Sequence, residues 1–121
     1  MKYLLLIHDE ERAWGKLNDA EQQEIMRDYG EFTEQIKASG QYLGGFQLHP
    51  TSAATSVRVR NGQRLVTDGP FAETREQLGG YYLVEAKDLD EAIALAARVP
   101  SARMGTIEVR PVVENRVPAP A

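Results

Sequence analysis

Residues 2–8, KYLLLIH, carry apolar side chains at both parities. In an extended strand Tyr3, Leu5 and Ile7 face one way, and Leu4, Leu6 and His8 face the other. A strand that is apolar on both sides belongs in the centre of a sheet covered on both faces. Residues 9–17 are charged, hold the sole tryptophan, Trp14, and read as a loop. From Asn18 the period changes. Ile25, Tyr29, Phe32 and Ile36 recur at spacings of four, three and four, the stripe of an amphipathic helix. Asn18 with Glu21 reads as a capping box, and Gly40 stops the helix after about Ser39. Residues 41–48, QYLGGFQL, form a second strand. Gly44 and Gly45 mark a bulge or a close backbone approach within it. Two alternating runs, SVRVR and QRLVT, flank Asn61-Gly62, the strongest short hairpin signal. Pairing Arg60 with Gln63 puts Val57, Val59, Arg64 and Val66 on one hairpin face. The run from Gly80 to Ala86 is again apolar at both parities apart from Glu85. Asp88 and Glu91 open a second helix, with Leu89, Ala92, Ile93, Ala96 and Ala97 as its buried side and Pro100 as its stop. Residues 106–113, TIEVRPVV, form the last strand; Pro111 has no N–H, so this strand lies at a sheet edge.

Without the inserted hairpin, this order is βαββαβ, the ferredoxin-like α+β arrangement. That topology centres the first strand and the strand after the hairpin, the two that are apolar on both faces. Two helices cover only one face of such a sheet. The other face, with Leu4, Leu6 and His8, would leave an exposed apolar patch, which marks an interface. The expectation is a homodimer packed sheet against sheet, in the manner of a dimeric α+β barrel. A small-molecule cleft is expected where the hairpin overhangs the open face. No linker divides the chain: residues 1–114 read as one domain, and residues 115–121, NRVPAPA, as a disordered tail.

Charge and composition narrow the chemistry. A net charge of -4 argues against nucleic acid as a partner. The arginines of the hairpin, Arg58, Arg60 and Arg64, have no aromatic residues between them for base stacking. With no cysteine in the chain, disulfides, thiolate nucleophiles and cysteine metal sites are excluded. Two histidines do not make a zinc site without carboxylates, and neither a metal nor a cofactor is expected. The run YLLLI is too short for a signal segment or a membrane span, so a cytoplasmic protein without membrane contact is expected. No phosphate-binding glycine loop and no acyl-transfer nucleophile motif is present.

The densest chemistry lies in TDGPFAETREQLGG, residues 67–80. Asp68 has two readings. It is a general base or substrate-orienting carboxylate, or it caps an Asx-turn by accepting the N–H two residues on. Phe71 reads as an anchor that buries the motif against the core. Glu73, Arg75 and Glu76 clamp a small polar ligand or form a solvated face. His8 ends a central strand and titrates near neutral pH. Asp9 points the opposite way, so the catalytic pair to consider is His8 with Asp68 across the fold. His49 reads as a loop residue. Glu108 and Arg110 share the open side of the last strand, where Arg110 holds an anionic group or pairs with Glu108 across a dimer.

The segment VTDGPFAETREQLGGYYLVEAKDLDEAIALAARVP, followed by IEVRPV, resembles the DGPF-motif group of the YCII-related domain family, and the resemblance extends from KYLLLIHDE to EVRPV. The motif falls on Asp68, Gly69, Pro70, Phe71, Glu73, Thr74, Arg75 and Glu76. Arg75 stands where lysine is common, which keeps the charge and changes the geometry. The resemblance implies a dimeric ferredoxin-like fold with a cleft. Some relatives in the wider family are lyase-like enzymes that pair an aspartate with a histidine on the first helix. This sequence has no histidine between Asn18 and Ser39; Tyr29 is the nearest polar aromatic residue there. Members of the group are often encoded near extracytoplasmic-function sigma factors, which implies a regulatory or accessory role. Three functions therefore stand open: a homodimeric ligand-binding domain, a cofactorless lyase or hydrolase using His8 with Asp68, and a structural dimerisation module.

Overall fold

Strand β1 (Lys2–Asp9) runs through the middle of a four-stranded antiparallel sheet of order β2–β5–β1–β6, with β2 at Tyr42–Gln47, β5 at Gln77–Glu85 and β6 at Thr106–Pro111. This is a computed structural model, and it describes residues 1–114. The tail expected at residues 115–121 lies outside the described residues. The α+β architecture matches the pattern: the two strands that are apolar on both faces are central, and the strands carrying Gly44-Gly45 and Pro111 are the edges. In β2 the register slips between Tyr42 and Gly44, and a Cβ on Gly45 would lie 2.7 Å from the Tyr81 carbonyl oxygen. Both meanings expected of the glycine pair are therefore realised.

Helices α2 (Asp19–Ala38) and α3 (Leu89–Arg98) cover one face of the sheet. The core between them joins Tyr3, Leu5 and Ile7 of β1, Tyr82 and Val84 of β5, Phe32 and Ile36 of α2, and Ala92, Leu95 and Ala96 of α3. The buried side of α3 departs from the expected one: Leu89 and Ile93 are half exposed and Ala97 is exposed, while Leu95 and the following Val99 are buried. Apolar residues surround most of this helix, so spacing alone does not fix which stripe faces the sheet. Residues 9–17 are also not all loop, because Glu11–Gly15 form a one-turn helix, α1. Too short to show a periodic stripe, α1 is held by tertiary bonds. The Glu11 N–H donates to Gln77 Oε1 at 2.9 Å, and the Glu11 carboxylate accepts from Thr51 N–H and Oγ1 at 2.8 and 2.9 Å.

The capping box at the start of α2 is reciprocal. Asn18 Oδ1 accepts from the Glu21 N–H at 2.8 Å, and Glu21 Oε1 accepts from the Asn18 N–H at 3.0 Å. Gly40 follows the helix at φ +76°, in the left-handed region that favours glycine. Replacing Asn18 with alanine removes one half of the box and is expected to cost about 1 kcal/mol. Thermal unfolding followed by circular dichroism should show the midpoint falling by roughly 3–5 °C.

The inserted hairpin pairs β3 (Thr55–Arg60) with β4 (Gln63–Asp68), and its register places Val57 opposite Val66 and Val59 opposite Arg64. Asn61 and Gly62 sit at φ 52° and 73°, the two positive values that a two-residue turn between twisted strands requires. The hairpin forms its own two-stranded sheet. On the sheet face opposite the helices, Leu4 and Leu6 of β1 lie beside Tyr81 and Leu83 of β5, and Phe46 of β2 opposite Tyr81 is 72% exposed.

Candidate functional site

The carboxyl end of β1 is where the fold gathers its polar side chains. Here β5 carries a bulge: Ile7 pairs with Gly80 and His8 with Leu78, which leaves Gly79 as the extra residue. Bulges of this kind re-aim side chains at a sheet rim. His8 remains on the open face. Asp9 turns to the helix side, beside the turn of 3-10 helix at Pro100–Arg103 that follows α3. Backbone packing brings the two together. The Gly105 N–H donates to the Ser101 carbonyl at 2.7 Å. A Cβ on Gly105 would strike the His8 carbonyl oxygen and lie 2.5 Å from Asp9 Oδ1. Only a residue without a side chain lets β6 start this close to the end of β1.

Ser101 is the buried polar residue of the core region, 3% exposed. Its hydroxyl shares a short hydrogen bond with the Tyr29 hydroxyl, which reaches it from α2. Tyr29 is tied in turn to Thr33, whose Oγ1 donates to the Tyr29 carbonyl at 2.8 Å and bonds to the Tyr82 hydroxyl at 2.7 Å. A polar chain thus runs from Ser101, beside Asp9, through Tyr29 and Thr33 to Tyr82 in the interface between helix and sheet.

This setting shifts the titration of both ends. Burial pushes the Asp9 carboxyl above its ordinary value of 3.8; the nearby Ser101 hydroxyl opposes the shift, Glu76 adds to it and His8 opposes it. Burial pushes the Tyr29 phenol up to about 12; Ser101 opposes this rise, and the charge of Asp9 adds to it. Tyr29 is therefore a neutral hydroxyl at physiological pH, a donor or acceptor and not a base. Asp9 is a carboxyl held closer to neutrality than one in water.

The sign of the linkage gives a test. A carboxyl whose folded value is raised favours the fold most below 3.8, and that contribution is lost as pH rises through the raised value. Asn keeps the shape of the protonated acid and has no proton to lose. Asp9→Asn should therefore be more stable than wild type at pH 7. The difference should shrink as pH falls towards 3.8, when thermal midpoints are compared across that range.

The residues singled out from the sequence do not converge. His8 Nε2 lies 3.1 Å from Glu108 Oε1, a half-exposed pair on the open face between neighbouring strands. Its partner is therefore Glu108, and Asp68 is bonded to neither. Asp68 is exposed at the end of β4, and among the described residues its carboxylate takes part in no hydrogen bond. The Asx-turn read for Asp68 does not form, because the residue two positions on is Pro70, which has no N–H to offer. The turn is held instead by the Gly69 N–H donating to the Ala54 carbonyl at 2.7 Å and by Ser56 Oγ donating to the Gly69 carbonyl at 2.8 Å. Phe71 does not anchor the motif; it is 80% exposed. Glu73 and Arg75 are also exposed. Glu76 turns inward to the β1 end, where it accepts from Thr106 Oγ1 at 2.8 Å. Arg110 faces the open side opposite Leu4. The one signal in the sequence for the Asp9 cluster was Tyr29 on the buried stripe of α2. Nothing local marks Ser101, which is far from Asp9 along the chain.

The cleft expected beneath the hairpin is neither of two open grooves found among the described residues. One open groove of about 360 Å³ runs between α2 and the end of α3, past Phe32, Arg98 and Arg103. Another, of about 320 Å³, lies beside Trp14 and Met26. Among the described residues no three His, Asp or Glu side chains are grouped to hold a metal ion, and no helix is long and apolar enough to cross a membrane.

The family model of the YCII-related domain matches residues 1–116. An uncharacterized protein of Rhizobium meliloti (strain 1021) is 36% identical over 114 residues, covering 93% of this chain and 92% of that protein.

Proposed function

Because the chain belongs to the YCII-related domain family, we propose that it acts as a homodimeric binding domain, holding a small polar or aromatic ligand at the carboxyl end of β1 in a regulatory or accessory role. The observation that carries this reading is the Asp9 carboxyl, drawn from water and pushed upward beside Ser101 and Tyr29. A partly desolvated carboxyl gains most from a ligand that brings its own N–H or O–H donor. Such a group at the end of a strand, with a perturbed titration and a specific hydroxyl partner, is the usual physical mark of a site. On the open face, His8 and Glu108 supply a second polar pair next to Leu6 and Tyr81, a surface suited to an aromatic ring. Asp68, Arg75 and Arg110 are exposed and take part in no ion pair among the described residues, which leaves them available to a polar ligand at the rim.

A thermal-shift screen of small polar and aromatic metabolites tests the reading, run in parallel on wild type, Asp9→Asn, His8→Asn and Asp68→Ala. A ligand at a hundred times its Kd stabilises by about 2.7 kcal/mol, a readily measured shift. The reading expects at least one compound that shifts wild type and loses its effect in Asp9→Asn. A compound that shifts all four proteins equally would place binding elsewhere.

A further inference from the structure

Among the described residues, strands β3 and β4 pair with each other and with no other strand. Every residue of β4 is exposed, and Val57, Val59 and Val66 on the apolar face are 58%, 62% and 59% exposed. An isolated two-stranded hairpin is marginal in water, and a hairpin of this size needs a further strand or a packed face to persist. This one is regular throughout its register. Among the described residues it also has no cover, since its valine face is more than half exposed.

The open sheet face has the converse defect. Leu4, Leu6, Tyr81, Leu83 and Phe46 present an apolar surface that no helix covers. Its dimensions suit the hairpin: a six-residue strand extends about 20 Å, and four strands about 4.8 Å apart span roughly 14–19 Å. Charge bears on the fit as well. The hairpin from Thr55 to Asp68 carries Arg58, Arg60 and Arg64 against the single acid Asp68, so the net -4 of the chain divides into +2 on the hairpin and -6 on the remainder. Arg64 sits within the valine face, opposite Val59. The open sheet face offers carboxylates at Glu108 and Glu85, with Arg110 on the same face opposite Leu4.

We propose that the β3–β4 hairpin is an exchanged arm: in the dimer, the hairpin of each copy lies across the open sheet face of the other. This rests on the homodimer reading above and adds to it the element that makes the contact. A two-fold axis makes the arrangement self-consistent, since the same pair of surfaces is covered twice in one closed dimer. It also places the cleft expected beneath the hairpin between one copy's face and the other copy's arm.

The absence of cysteine makes the test clean. A Val59→Cys chain is mixed with a Leu83→Cys chain under mild oxidation, with Val59→Cys plus Ile93→Cys as the control, because Ile93 is exposed on the helical side. Sedimentation gives the dimer Kd of wild type and of the triple variant Arg58→Glu/Arg60→Glu/Arg64→Glu; these residues are exposed, so the core is not disturbed. The arm predicts a disulfide heterodimer in the first mixture and not in the control, and a Kd raised about tenfold or more by the charge reversal. A dimer that forms no such disulfide and ignores the charge reversal overturns the arm and leaves the homodimer standing. A monomer at micromolar concentration overturns both. Binding of duplex DNA that is lost in the triple variant while dimer affinity is unchanged also overturns the arm, and assigns the arginines to nucleic acid.

Discussion

Replacing Leu5 with alanine should lower the thermal midpoint by on the order of 10 °C, the largest effect of any single truncation argued from this fold. Leu5 lies at the middle of the central strand and is 0% exposed. It stands between Tyr82 on β5 and Val109 on β6, under the helices. Removing its three outer carbons loses their transfer free energy and leaves a cavity that two hydrogen-bonded neighbouring strands hold open. Leu→Ala changes at such positions cost about 2–5 kcal/mol, and a domain of this size loses roughly 3–5 °C per kcal/mol. Protein concentration must be held fixed in the comparison, since a dimer unfolds at a concentration-dependent midpoint. Leu4→Ala, on the same strand but on the open face, should unfold much closer to wild type at a dilution that keeps the proposed dimer dissociated. A Leu5→Ala midpoint within a degree or two of wild type would mean that β1 is not the centre of the core.

The second large effect belongs to Gly105→Ala. The added methyl meets the His8 carbonyl oxygen and Asp9 Oδ1, so either β6 moves outward or the end of β1 does. Backbone on one side and a constrained carboxyl on the other leave little room to yield. Overpacking of this kind costs about 1–3 kcal/mol. Its signature differs from that of Leu5→Ala, because the damage falls on the site. The 2.7 Å bond from the Gly105 N–H to the Ser101 carbonyl is displaced, and with it the residue whose hydroxyl bonds to Tyr29 beside Asp9. Any compound found to bind through Asp9 should bind Gly105→Ala more weakly. Isothermal titration at a temperature where both proteins are folded checks this.

Much of the fold was legible from the chain because it is set by local period. Leu4 to Ile7 are apolar at both parities, and β1 is central; Asn61-Gly62 adopts the two positive φ values its residues allow; Asn18 and Glu21 close on each other three residues apart. Each of these depends on neighbours in sequence. What was missed depends on partners far away. Asp9 reads as a loop acid until Ser101 and Gly105 arrive beside it, and no spacing rule connects positions so far apart. The one-turn helix α1 lacks the length to show a stripe and is held by Gln77 and Thr51. The motif containing Asp68 and Phe71 is conspicuous in the sequence, but conspicuous residues need not be inward ones. Pro70 removes the N–H that would have occupied Asp68, and Phe71 is left facing solvent on a turn that Gly69 and Ser56 already hold.

The proposed site centres on one carboxyl, so its most direct test is the titration of Asp9 itself. The carboxyl carbon of Asp9, assigned with the help of Asp9→Asn, is followed by NMR from acid to neutral pH. Burial should give a midpoint above the ordinary 3.8, together with a Tyr29 phenol that stays protonated up to about pH 12. A midpoint at or below 3.8 would show a carboxyl well solvated or fully paired in the free protein. The desolvation on which the proposed site rests would then be absent.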